Sequence, residues 1–270
     1  MSFLIDFTRH DVQMSKQLKY PFALIALLFI SATSLATCTA TERNANDSSE
    51  NGSSNTATIS ATINAVGDLV AFTGWCYPSC TPVSMTLGSQ TAVQTTVSGN
   101  PGPGDPGTGQ GFIFYILSAA ASGTQTVNWT VSGAHTSIQT SYMDFSPSEG
   151  CVFTHHVDSP LGTGTGTNIN TPSITPTAGD VLFNFTWISQ HITNVYSPWQ
   201  CVLYAPQYSC YFESTVNTQA YVLSASSGST ANNMSNIQSG DSWQALITSF
   251  SMKPGGPPPS PPTGLTAMVQ

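Results

Sequence analysis

Basic residues are almost missing from this chain. Its 270 residues hold five Lys and Arg against thirteen Asp and Glu, a net charge of −8. Between Arg43 and Lys253 there is no Lys or Arg, while Asp68, Asp105, Asp144, Glu149, Asp158, Asp180, Glu213 and Asp241 are all acidic. Such a surface cannot neutralise phosphates, which excludes nucleic acid and anionic headgroups as partners. Any carboxylate buried in this region needs backbone donors, a neutral partner or a cation. Sustained helical periodicity is also missing, as are G-x-S-x-G, HExxH, paired CxxC and DxDxDG motifs. Without Lys there is no Ser-Lys dyad either, so the usual sequence signs of serine hydrolases, zinc sites and calcium loops are all lacking.

What is present begins with a leader. The apolar run Phe22–Leu35 follows Lys16 and Lys19 and closes on small residues. It reads as a secretory signal over residues 1–37, too short to span a bilayer comfortably, with Met14 as a conventional start. Two exits stay open. Ser34-Leu35-Ala36 suits signal peptidase, whereas Leu35-Ala36-Thr37-Cys38 resembles a lipobox that would lipidate Cys38. In the second case a membrane is met only through that anchor. Residues 38–58, rich in Ser and Asn, read as a polar tether.

From residue 59 to 253, short β-branched and aromatic runs alternate with Gly, Pro, Asn and Ser clusters, which predicts an all-β, two-sheet antiparallel sandwich. Expected strands are Leu69–Gly74, Val83–Leu87, Phe112–Leu117, Thr126–Val131, Ser137–Phe145, Val181–Ile188, Ala220–Ser224 and Trp243–Ser251. NAVGDLVAFTGW (64–75) and PTAGDVLFNFTW (176–187) share Gly-Asp, an apolar strand and a closing Trp. They suggest a two-fold pseudo-repeat in which each half supplies part of a sandwich. The stretches 98–111 and 159–179, dense in Gly, Pro and Thr, read as connectors.

The segments GDLVAFTGW, TQTVNWTVSG, IQTSYMDFSPSEG, AGDVLFNFTW and SWQALITSFSMK together resemble the secreted jelly-roll-like β-sandwich modules of soil bacteria found beside fibronectin type III or immunoglobulin-like repeats. The resemblance implies a jelly-roll fold and an extracellular home, and no catalytic residues. The tail 254–270, PGGPPPSPPTGLTAMVQ after Lys253, resembles a linker entering a fibronectin type III domain.

GWCYPSC invites a thiol-redox reading, but three residues separate Cys76 from Cys80 and a strand-like sequence follows where a helix is needed to lower the thiol pKa. In an exported protein a Cys76–Cys80 disulfide fits better. Cys201 and Cys210 bracket a loop and form the second candidate pair, which leaves Cys151 alone. His156 and Asp158 are the weak metal candidates, since they converge if their segment is extended. No cofactor is expected, although acidic loops leave calcium open. Asp144 and Glu149 are the acids that a glycan hydrolase reading would enlist. Most Trp positions alternate along strands and predict core packing. SPWQCVLYAPQYSCYF differs, and its Trp199, Tyr204, Tyr208 and Tyr211 are the candidate carbohydrate-binding aromatics. The expected function is a non-enzymatic structural or adhesive role outside the cell, with a surface glycan or another extracellular protein as partner.

Overall fold

The computed structural model describes residues 37–51, 54–95, 109–188, 192–201, 216–236 and 242–255. Of the expected signal (1–37) and tail (254–270), all but residues 37, 254 and 255 lie outside this set. Among the described residues every regular element is a strand, and no helix is long and apolar enough to cross a membrane.

The first half of the chain carries β1 (Ala40–Asn51), β2 (Thr56–Ile63), β3 (Leu69–Pro78), β4 (Thr81–Leu87), β5 (Gln90–Thr91), β6 (Val93–Gln94), β7 (Gln110–Ile116), β8 (Gly123–Ser132) and β9 (His135–Pro147). The second carries β10 (Cys151–Asp158), β11 (Gly162–Thr165), β12 (Asn168–Asn170), β13 (Val181–Ile188), β14 (Ile192–Val195), β15 (Gln200–Cys201), β16 (Val216–Val222), β17 (Asn233–Asn236) and β18 (Ser242–Pro254). In the first half the strand orders are β1-β9-β3-β7-β6 and β2-β8-β4-β5. In the second they are β10-β18-β13-β16-β15, with β11 also on β18, and β12-β17-β14. Leaving out β5 and β11, the chain visits the two sheets in the same order in both halves. The antiparallel two-sheet sandwich is present twice, and each half of the pseudo-repeat makes a whole one rather than part of one.

Burial explains why the two larger sheets lie inside. On β3, Val70, Phe72 and Cys76 join the core shared with β2, β4 and β8, which includes Ile59, Met85, Val127 and Trp129. Its alternate residues Leu69, Ala71 and Trp75 join a second core with Phe153, Phe183, Phe185, Trp187, Leu246 and Phe250 from the other half. The outer cores of the second half gather Leu182, Val222 and Ile247, and Ile169, Met234 and Trp243. The result is four stacked sheets, and a strand buried on both faces carries apolar residues on both, as β3 and β13 do, with Thr73, Asn184 and Thr186 as buried polar exceptions.

The central core relates the halves by a pseudo-two-fold. Leu69 pairs with Phe145 as Val181 pairs with Phe250, which makes Trp75 the counterpart of Trp187, and Tyr115 of Tyr221. Trp75 stacks on Trp187 at 5.7 Å and 10°. Tyr115 meets Phe250 edge-on at 5.3 Å, and Tyr221 meets Phe145 likewise at 5.9 Å. Such reciprocal contacts are the mark of an isologous interface. Cys38 and Cys151 obey the same relation, because Thr41 pairs with Ser146 as Thr154 does with Ser251. These two counterparts are joined by a disulfide with Cα atoms 5.8 Å apart.

Four expectations need correction. Residues 40–51 form β1 on the edge of β9 and residues 56–63 form β2, so most of 38–58 is sheet and not tether. The 159–179 connector contains β11 and β12. Cys151 is not alone. Because its bond uses the sulfur of Cys38, that thiol is not available for lipidation. The Cys76–Cys80 disulfide is present, with Cα atoms 6.0 Å apart. Cys210 and the side chain of Cys201 lie outside the described residues. The two disulfides fit an oxidising compartment.

Candidate functional site: two buried aspartates and their basic neighbours

Each half opens its central strand with the same turn. Gly67 and Gly179 take φ of 97° and 90°, a conformation that glycine adopts without strain. The following Asp closes the turn on itself. Asp68 Oδ2 accepts the Ala65 amide at 2.8 Å, and Asp180 Oδ2 accepts the Thr177 amide at 2.9 Å. Both backbones are then tied to a neighbouring loop, Asp68 through Ala119 and Asp180 through Ala225. Both carboxylates are buried to about the same degree, at 1% exposure, so each needs further compensation.

The halves supply it differently. In the second half, β10 bulges between His155 and Val157, which turns His156 towards Asp180. Its Nδ1 lies 2.6 Å from Oδ2, and Ser251 donates to Oδ1 at 2.6 Å. In the first half, β1 bulges between Glu42 and Asn44, so Arg43 is the counterpart of His156. Arg43 does not take the acid. Its Nε donates to Ser146 Oγ at 3.2 Å, an atom that Asn64 Nδ2 also reaches at 3.1 Å.

Asp68 has a second acid beside it instead. Asp144 is fully buried and accepts the Asn64 amide at 2.8 Å. Burial pushes its pKa up to about 7, and the charge of Asp68 and a hydrogen bond between the two acids push the same way. The Asn64 and Asn44 hydrogen bonds oppose the shift. A protonated Asp144 can donate to Asp68, which compensates the inner carboxylate without a cation.

The bulge also decides the metal candidates. Although β10 is extended, His156 and Asp158 do not converge. His155 Nε2 contacts Asp158 Oδ1 at 2.8 Å, Thr248 donates to the same oxygen at 2.7 Å, and His156 goes to Asp180. Among the described residues no group of three or more His, Cys, Asp or Glu gathers.

Trp199 was expected at an exposed recognition surface, and it is buried at 6% exposure, its indole donating to the Ala231 carbonyl at 3.1 Å. It closes the core containing Leu182 and Ile247. Tyr204, Tyr208 and Tyr211 lie outside the described residues. Trp75, Trp129, Trp187 and Trp243 are core residues. Glu149 is exposed near the start of β10, and Asp144 is fully buried.

Sequence reasoning missed Asp68, Asp180 and Arg43 as interacting groups. The signal for the aspartates was the repeated Gly-Asp. Arg43 carried a weaker one, as the last cation before a long stretch without any.

No family model matches the chain, and no curated protein matches it. Among solved structures, the major capsid protein P2 from bacteriophage PM2 is similar with a TM-score of 0.27 and 8% identity, over 81% of this chain and 98% of that chain. No residue or role is carried across from a likeness of this size.

Proposed function

We propose that this protein is exported and serves outside the cell, or on its surface, as a non-enzymatic structural or adhesive module of the kind found beside fibronectin type III or immunoglobulin-like repeats. The observation that carries this reading is the covalent closure of the two sandwiches on one another through Cys38–Cys151. A bond of that kind persists in oxidising surroundings, and it locks a central core in which Trp75 and Trp187 already stack. The chemically capable groups support the same reading. Asp68, Asp144 and Asp180 are turned inward, and His155 and His156 contact acids of their own half. The hydrolase alternative would need two acids open to a substrate, and the acids that meet here are sealed.

The test is to tag the protein in its own organism, shave intact cells with protease and alkylate the thiols without reduction. Release from the surface with Cys38 and Cys151 protected from alkylation is the expected result. A cytosolic protein with alkylated Cys38 and Cys151 would end the proposal.

A further inference from the structure

At one end of the first half a cleft of about 540 Å³ opens between the Gly67 turn and the start of β10. That volume lies within the range of small-molecule sites, which is about 300–1,000 Å³. Its wall holds Arg43, Asn64, Ser118 and Ser148, and Val66 and Val152 also line it. The two valines are 65% and 43% exposed, two of the few large apolar side chains the described surface leaves open. Hydroxyls and an amide thus face the same space as two apolar patches.

Arg43 gives the cleft its character. Its counterpart His156 contacts the buried Asp of its half, whereas Asp144 stands beside Asp68, and among the described residues the guanidinium is held through Nε to Ser146. The ion-pair contacts among the described residues are His155–Asp158 and His156–Asp180. The outer two nitrogens of Arg43 form a planar fork suited to a carboxylate. The only other described cation, Lys253, is exposed and stands opposite Val152 in the β10–β18 register. Cross-strand partners project from the same face, so both cations of the described chain sit at this end. Glu149 and Asp68, also in the wall, set a limit, because they repel a second negative charge.

We infer that this cleft binds a hydroxyl-rich monocarboxylate, specifically a uronic acid residue of a glycan, with its carboxylate on Arg43 and its hydroxyls on Asn64, Ser118 and Ser148. The valines cover the C–H face of the ring. A phosphate or sulfate ester fits poorly, since one guanidinium fork in a wall that also holds acidic residues matches a planar monoanion. The inference gives the adhesive reading a ligand, and as a glycan partner it rests on that reading. Binding in solution is nonetheless independent of where the protein resides, so the two fail separately.

The experiment titrates the full chain with D-galacturonate, D-galactose and acetate, and follows heat or amide chemical shifts. Galacturonate is expected to saturate in the millimolar range or tighter, with galactose and acetate each weaker. Arg43→Gln should weaken galacturonate about tenfold or more, as loss of a charged hydrogen-bond pair does. Arg43→Lys should fall between, because it keeps the charge and loses the fork. Arg43 is exposed, so neither variant is expected to impair folding, and circular dichroism checks this. Galactose binding as tightly as galacturonate, or Arg43→Gln binding undiminished, would overturn the role of the arginine. Acetate binding equally well would overturn the sugar, and absence of saturation would overturn the site.

Discussion

Arg43 and His156 stand at matching bulges, and what separates them is a single neighbour. Asp144 in the first half occupies the register position of Ser249 in the second, opposite Val70 where Ser249 is opposite Leu182. One acid at that place frees a cation elsewhere, and its protonation has a measurable consequence. The folded pKa of Asp144 is raised to about 7, and an unfolded aspartate titrates near about 3.9. Between these values the native state holds more protons than the unfolded one, so this group's contribution is fully present below about pH 4 and is lost as pH rises through about 7. Asp144→Asn keeps a donor for Asp68 and an acceptor for Asn64 without the charge. Its melting temperature should therefore vary less between pH 4 and 8 than the parent's, with the variant more stable at pH 8. An unchanged pH slope would show that Asp144 is not the titrating group.

Strands buried on both faces tolerate little change in volume. A Cβ built on Gly74 of β3 would stand 2.6 Å from Trp129 Cε2, a side chain with no exposure. Gly74→Ala should therefore cost about 1–3 kcal/mol by overpacking, measured by urea unfolding, and a neutral result would mean that Trp129 has room to shift. Burial made β3, β8 and β13 readable in sequence, since Val127, Trp129 and Val131 alternate on the one buried face of β8, and LVAFTGW and VLFNFTW carry apolar residues on both faces. The strand β1, ATERNANDSSEN, was unreadable because an edge strand can be held by its ladder to β9 with hardly any apolar side chains. His155 and His156 misled for a related reason. Which face each occupies depends on a bulge, and a bulge exists only once the partner strand is in register. In sequence Trp199 reads as a surface aromatic because its neighbours are polar and aromatic. Its burial comes from contacts with Leu182 and Ile247, distant in sequence. The Gly-Asp echo was visible from the start, but that each echo opens a whole sandwich appears only from strand order.

For the whole molecule, the reciprocal interface predicts energetic coupling at its centre. A double-mutant cycle on Trp75 and Trp187 should give a coupling of about 0.5–1.5 kcal/mol from the stacked pair, whereas additive losses would show that each ring packs independently. The disulfides should differ in weight. Cys38 and Cys151 are 113 residues apart and Cys76 and Cys80 only 4. Loop-closure entropy assigns about 4–5 kcal/mol to the first and about 2 to the second. Serine replacement of each pair, followed by chemical denaturation, is expected to show the larger loss for Cys38 and Cys151. The position of that bond has a further effect. It turns the stretch from 38 to 151 into a covalent ring, so one cut by an extracellular protease inside the stretch opens the ring without parting the fragments. A molecule nicked there would stay whole until a reductant arrived.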